Sequence, residues 1–377
     1  KNLETEIVVI GGGITGSLIA HQCINDGYQT VLIDRDEIAH GSTAASTSIL
    51  QYEIDIPLFR LIDLIGEKGA VESYRACFDS IDKLKSVAEE INSESGFRKK
   101  DSLYFASRKK DLKWLKKEFE TRKFYGFPVR WLQAEDIYNQ YKLENTFGGI
   151  LSEQGGSVDA FKLTHDILQF NKNKGLLIYD NTNVKVSTYY NNYVELITEH
   201  GNTIKANKII YCTGYESTEL IKDDFVNLNS TYAIVGEQKE SCDDVLENTL
   251  FWNTDEPYIY MRTTDDNRLL IGGGDEGFEN ATRRDSLLHK KAEELKEYLK
   301  KIFPSYDFRT DFIWAGTFGE TKDGLPYIGA HPDFAHSYFV LGFGGNGISF
   351  SVIGMEMISA LLKNKSHPLK EYYRFRR

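Results

Sequence analysis

The sequence predicts an α/β fold: a Rossmann-type dinucleotide-binding domain into which a second, antiparallel-sheet domain is inserted. Three observations carry this. The opening "EIVVIGGGITGSLIAHQCINDGYQTVLID" reads as strand, glycine turn, helix and strand. A buried strand running into glycine recurs in mid-chain as "NKIIYCTG" and near the end as "YFVLGFGGNG". The 377 residues also exceed one ordinary core and fit two domains. Residues 1–90, 150–225 and 312–377 are expected to form the dinucleotide domain, and residues 91–149 and 226–311 the inserted, substrate-binding one. Both are discontinuous in sequence.

Taken in order, "EIVVI" is a short β-branched run suited to a strand buried on both faces. Ile14, Leu18 and Ile19 recur at helical spacing, Gly27 stops that helix, and "TVLID" is the second strand. From Asp55 to Asn92 the periodicity is helical, through Leu58, Leu61, Ile62 and Ile65, then Ile81, Leu84 and Val87. "DSLYFAS" reads as a strand. "KKDLKWLKKEFETRKFYGF" reads as a helix with Leu112, Leu115 and Phe119 inward. Its lysines suit a membrane surface or an acidic partner, but the interleaved Asp and Glu favour a solvated face. A further helix ends at about Lys172, and alternating short strands joined by Asn and Gly turns follow to Gly214. More polar strands run from Leu228 to Gly274, a charged helix from Ser286 to Lys301, and the chain closes with strand, glycine turn and helix. The tail "YYRFRR" is expected to pack and solvate.

A net charge of −11 argues against a nucleic-acid partner. No apolar run approaches the length of a membrane span, and no basic segment followed by an apolar one precedes the first strand. The four cysteines, Cys23, Cys77, Cys212 and Cys242, are far apart and form no Cys-x-x-Cys. No transmembrane segment and a cytoplasmic location are therefore expected.

Gly11, Gly13 and Gly16 satisfy G-x-G-x-x-G between a strand and a helix. The first permits the tight turn, the second lets a pyrophosphate approach the backbone, and the third lets helix and strand pack closely, with the helix amino terminus facing the anion. Asp34 ends the second strand, where an acidic group takes ribose hydroxyls and disfavours a 2′-phosphate. NAD and FAD both remain open at this point. "HGSTAASTSILQYEID" bears on the choice: Ser42, Thr43, Ala45, Ser46 and Thr47 would let the chain lie against a bulky ring and its pyrophosphate. The alternative is a Ser/Thr-rich loop that caps the next helix.

"GGGITG", "IDRD", "GSTAAS", "CTGYES", "WAGTFGETKDGLPYIG" and "GFGGNGISFS" occur in the order found in the D-amino-acid oxidase superfamily of FAD enzymes, which this chain resembles over essentially its whole length. The resemblance implies a GR2-like FAD-binding domain. It places Gly11, Gly13, Ile14, Thr15 and Gly16 at the pyrophosphate, Asp34 and Arg35 at the adenosine, and Ser42, Thr43, Ala45, Ser46 and Thr47 along the pyrophosphate and flavin edge. Val184 would meet the adenine, and Thr213, Gly214 and Gly316 would pass beside the dinucleotide. Gly345, Asn346, Gly347 and Ile348 would offer backbone N–H groups to the flavin, whose reduced form carries negative charge that a helix amino terminus stabilises.

Three departures qualify the resemblance. The family often links FAD through a cysteine beside the segment matching "GTFGETKDG"; none stands there, so noncovalent FAD is expected. The arginine that anchors an amino-acid carboxylate in relatives is matched by Phe318, with Arg262 as a possible replacement or else an inter-strand charge. A lysine that speeds reaction with oxygen is matched by Leu270, which leaves O2, a quinone or another carrier as electron acceptor. Tyr258 and Tyr260 lie two apart on one strand face, and Gln51 and Glu53 follow the flavin loop. These are candidates for the pocket of a small-molecule amine or amino acid. The implied activity is oxidation of a C–N bond by hydride transfer to FAD. The alternatives are an FAD-dependent dehydrogenase or hydroxylase acting on a non-amine substrate, or a flavin-bearing subunit that needs a partner.

Overall fold

Ile7, Val8 and Val9 are buried on both faces of the strand Leu3–Ile10, which lies mid-sheet as a β-branched run requires. It pairs in parallel with Thr203–Tyr211 on one side and Thr30–Ile33 on the other. Leu177–Tyr179 and Ser337–Leu341 extend the parallel array outward, and Tyr327–Ala330 pairs antiparallel at one edge. A hairpin, Val184–Tyr189 with Val194–Thr198, joins the first half of Thr203–Tyr211. The computed structural model describes residues 2–240 and 244–377, so Cys242 lies outside the described residues. Cys23, Cys77 and Cys212 are buried free thiols.

Helices Ile14–Asn25, Glu67–Glu90, Ala160–Lys172 and Gly347–Leu362 contribute to one large core over this sheet, and a second cluster that includes the hairpin and Phe375 covers its other side. The helical pattern expected from Asp55 to Asn92 is broken once. Gly66, at φ +85°, separates Leu58–Ile65 from Glu67–Glu90, a backbone conformation that suits glycine. The stretch Gly344–Leu362, of mean hydropathy 1.3, is long and apolar enough to cross a membrane by composition, which the sequence reading does not anticipate. It packs instead as a core helix against Ile14–Asn25 and Glu67–Glu90.

The second sheet has nine strands. Its main order is Thr310–Glu320, Asn227–Gly236, Leu269–Gly277, Ile259–Thr263, Thr249–Asn253, Arg98–Phe105, Gly149–Ser157 and Ile49–Gln51, with Val129–Leu132 also on Gly149–Ser157. Every pair is antiparallel except Thr249–Asn253 with Arg98–Phe105. That parallel pair is where the 91–149 and 226–311 segments meet. Helix Leu288–Ile302 packs on Asn227–Gly236, Leu269–Gly277 and Thr310–Glu320 through Leu295, Leu299 and Ile302. Strand Val129–Leu132 and helix Ala134–Tyr141 have no counterpart in the sequence reading; a capping box between Gln133 and Asp136 starts that helix.

The lysine-rich helix, Leu112–Phe124, turns Lys113, Lys116, Lys117 and Lys123 to solvent and Leu115 inward. Its inner face also carries Glu118 and Arg122, one turn apart and fully buried. Arg122 Nε donates to Glu118 Oε1 at 2.6 Å, and an Nη to Glu53 Oε1 at 3.2 Å. Glu118 accepts the N–H groups of Leu58 and Phe59 that open helix Leu58–Ile65, and the hydroxyls of Ser102 and Ser152 donate to Glu53. At the other end of the chain, Tyr373 and Phe375 are buried and Arg377 holds both carboxylate oxygens of Asp323 through Nε and one Nη. The tail is therefore part of the packed structure.

Removing Arg122 would leave two buried carboxylates without their cation. Arg122→Ala is expected to cost about 3–5 kcal/mol, read as a lower urea midpoint, whereas Lys113→Ala on the outer face of the same helix should stay within about 0.5 kcal/mol. Equal effects would mean that the cluster is not a structural keystone.

Candidate active site

A cavity of about 680 Å³ is lined by both sheets and by the loops at the carboxyl ends of the parallel strands. This is the position where open α/β sheets take ligands. At one end stand the first glycine turn and Asp34; at the other stand Gln51, Tyr258, Tyr260 and Asp275.

The glycines are required by close approach. A Cβ on Gly16 would lie 1.8 Å from the Gly11 carbonyl oxygen, and one on Gly13 would lie 2.8 Å from Thr43 Oγ1. Gly11, at φ +110°, passes so near the Cys212 carbonyl that a Cβ would fall 2.4 Å from its oxygen. Gly16 thus serves helix–strand packing and does not line the cavity, while Gly11, Gly13, Ile14 and Thr15 do. Thr43 Oγ1 accepts the Ile14 N–H at 3.0 Å, which ties the Ser/Thr-rich loop to the first turn of the helix.

Asp34 Oδ2 accepts from Gly12 N–H at 2.5 Å and Oδ1 from Asp36 N–H at 2.9 Å. Burial pushes its carboxyl above the usual range despite these donors. Arg35 is paired with Glu216 across the cavity rim. Ser42, Thr43, Ala45, Ser46, Thr47, Val184, Thr213, Gly214 and Gly316 all line the same cavity. The loop is held from the second sheet: Trp314 Nε1 donates to the Ala45 carbonyl at 2.9 Å and Ser42 Oγ to the Thr317 carbonyl at 3.4 Å.

These residues fit FAD. The glycine cradle has no room for side chains, the helix that follows it directs its amino terminus toward the cavity, and two buried polar atoms in the wall, Thr213 Oγ1 and Gln51 Nε2, have no protein partner.

At the inner end, Tyr258 and Tyr260 both line the cavity, their ring centroids 6.0 Å apart. The run "IGGGDE" makes space for them: a Cβ on Gly272 would fall 2.5 Å from the Tyr260 ring. Gly273 and Gly274 both have positive φ, and the register with Asn227–Gly236 shifts beside them, between Ser230 and Tyr232. Asp275 follows directly and enters the lining. Its Oδ1 is buried without a hydrogen-bond partner, and burial raises its pKa to about 6 although the Thr231 hydroxyl is beside it. Asp55 lies behind Tyr258; it accepts the tyrosine hydroxyl at 3.4 Å and Gly345 N–H at 2.8 Å, and burial raises it too to about 6.

The structure corrects several expectations. Arg262 does not replace the missing carboxylate anchor: its Nε donates to the Thr47 carbonyl at 2.7 Å and an Nη to the Thr263 carbonyl at 3.2 Å, and it does not line the cavity. Glu53 does not reach the cavity either, because Arg122 and two serines hold it in the core. Leu270 is buried in its strand and is not part of the lining, whereas Phe318 is. Gly345, Gly347 and Ile348 line the cavity, and the Gly345 N–H is taken by Asp55. Asn346 is buried, and its side chain donates to the carbonyls of Gln51 and Glu53 at 3.0 Å each. The sequence names neither Asp55 nor Asp275 as a site residue, although Asp55 closes the stretch "HGSTAASTSILQYEID".

A carboxyl whose pKa is raised on folding releases its proton more readily in the unfolded chain, so its contribution to stability is full below pH 4 and is lost as pH rises through about 6. Shifts of this size are worth at most about 3 kcal/mol per group, reduced by partial exposure. Asp275→Asn is expected to raise the Tm of the apoprotein at pH 7.5 and to differ little from wild type at pH 4. A gap that narrowed with rising pH would contradict the burial argument.

Comparison with known proteins agrees with this geometry. The chain is 25% identical over 371 residues to the glycine oxidase of Bacillus subtilis (strain 168), covering 96% of this chain and 93% of that one. Its fold matches the crystal structures of L-proline dehydrogenase from P. horikoshii (TM-score 0.83, 21% identity, covering 99% of this chain and 97% of that one) and glycine oxidase from Geobacillus kaustophilus (TM-score 0.82, 19% identity, 100% and 99%). The model of the FAD dependent oxidoreductase family matches residues 6–360, and with the glycine cradle, Asp34 and the Ser42–Thr47 loop on one cavity, the chain belongs to that family of FAD-dependent enzymes.

Proposed function

We propose that this protein oxidises the C–N bond of an amine or amino acid. The observation that carries the reading is the chamber at the inner end of the dinucleotide cavity, where Tyr258, Tyr260, Gln51, Asp275 and Phe318 converge beside the Ser42–Thr47 loop and the Gly345–Ile348 turn. FAD held there would supply a two-electron acceptor for the hydride on the carbon next to nitrogen, and the substrate imine so formed would be hydrolysed by water to a carbonyl compound and ammonia or an amine. The relatives named glycine oxidase and L-proline dehydrogenase act, by those names, on amino acids, which supports an amine or amino-acid substrate here.

The chain's own residues position and enclose. Gly11, Gly13, Ile14 and Thr43 would hold the pyrophosphate and Asp34 the ribose. The phenol rings of Tyr258 and Tyr260 and the Phe318 ring supply apolar walls that exclude water from a bound substrate. Gln51 offers a buried amide Nε2 with no protein partner, a donor able to orient a substrate. Burial pushes Tyr260 up to about 12 and holds Tyr258 well above the ordinary phenol range, so both phenols stay protonated and act as hydrogen-bonding walls rather than as bases. Asp55 orients the Tyr258 hydroxyl and the Gly345 peptide.

Asp34→Ala is expected to weaken FAD binding about tenfold, the worth of a charge-assisted hydrogen-bond pair, measured by quenching of free flavin fluorescence on titration with apoprotein. Unchanged affinity would remove Asp34 from the binding set. The reaction class is tested by anaerobic mixing of the yellow holoprotein with amines, amino acids and 2-hydroxy acids. Bleaching with nitrogen compounds, and a carbonyl product plus ammonia or amine, supports C–N oxidation; bleaching by hydroxy compounds alone overturns it.

A further inference from the structure

We infer that the substrate taken at the Tyr258–Tyr260 end of the cavity is a cationic amine with no carboxylate on the carbon that bears its reacting nitrogen. The inference rests on the C–N reading above and narrows it. The charges in the cavity wall are divided by location. Among the described residues that line it, the cationic side chains are Arg35 and Lys185, and both stand at the Asp34 end, beside Asp36 and Val184. The inner end has Asp275 in its wall and Asp55 behind Tyr258, with Glu320 close enough to raise the pKa of both.

A substrate carboxylate entering there would meet like charge and, among the described residues lining that end, no guanidinium or ammonium; the neutral Gln51 amide and tyrosine hydroxyls do not repay the desolvation of an anion. Arg262 is not available for it, being held by the Thr47 and Thr263 carbonyls, and Phe318 presents an apolar ring to the cavity. Lys291, on helix Leu288–Ile302, is engaged by Glu276 at 2.8 Å, and Arg284 by Asp285 and the Thr317 hydroxyl.

An ammonium has the opposite experience. Asp275 Oδ1 is buried, lines the cavity and accepts no hydrogen bond from the protein, so it is a ready acceptor for an N–H. The tilted rings of Tyr258 and Tyr260 add two faces that attract a cation. Carboxylate and paired rings together make a site for positive charge, and burial raises both carboxyls although Lys291, outside the wall, acts on Asp275 in the opposite sense.

The test uses the holoenzyme under anaerobic conditions, mixed in turn with 1,3-diaminopropane, N-methylpropylamine, glycine, N-methylglycine, D-alanine, L-proline and glycerol 3-phosphate. The amines are expected to bleach the flavin at half-saturating concentrations at least about tenfold below any amino acid, and Asp275→Asn to raise those concentrations roughly tenfold. A second readout needs no turnover: Trp252, whose ring centroid lies 6.3 Å from that of Tyr258, should report saturable binding of tetramethylammonium by its fluorescence, weakened in the variant, and no binding of acetate. Bleaching by amino acids with the amines silent, or acetate binding in place of tetramethylammonium, overturns the substrate class while C–N oxidation stands. Bleaching by glycerol 3-phosphate alone overturns both, and if nothing bleaches, the fluorescence titration decides the charge preference.

Discussion

The buried contact of Arg122 with Glu53 and Glu118 is the constraint on which the site depends. Charges taken out of water stay charged only if paired and hydrogen-bonded, and here one guanidinium joins three chain segments: the helix Leu112–Phe124, the start of helix Leu58–Ile65 through Glu118, and the Gln51–Asp55 segment through Glu53. Glu53 lies between Gln51 and Asp55. With its carboxylate fixed in the core and its carbonyl gripped by Asn346, the residues on either side are held at the inner end of the cavity. The last helix is located by the same grip, since Asn346 and Ser349 both donate to the Gln51 carbonyl. A core ion cluster thus registers the second sheet against the helix turn that faces the cofactor.

The dinucleotide end and the substrate end of the cavity are built on different physics. Backbone proximity governs the first: glycines that tolerate no Cβ, a helix terminus, and a carboxylate aligned by two peptide N–H groups. The second is governed by side-chain charge in a partly dry wall. Asp55 and Asp275 are held where ionisation is costly. A strongly raised carboxyl in a cavity wall, as Asp275 is, marks a candidate functional site.

The sequence by itself determined the parts whose physics is local. A β-branched run, glycines at fixed spacing and an acidic strand end specify the βαβ unit and its ligand class, because each acts through its own backbone or its near neighbours. Tyr258 and Tyr260 were legible for the same reason, being two apart on one strand. What only the tertiary structure decided is how distant segments share charge. Glu118 and Arg122 sit in a helix that by composition reads as solvated, and nothing within that helix shows that they face Glu53, sixty-nine residues away from Arg122. The sequence leaves Arg262 either as a carboxylate anchor or as an inter-strand charge, and the Thr47 carbonyl placed against it decides between them. Asp275 became part of the wall through a register shift against another strand. The charge at the substrate end is a sum over segments far apart in the chain, and it exists only once folding brings them together.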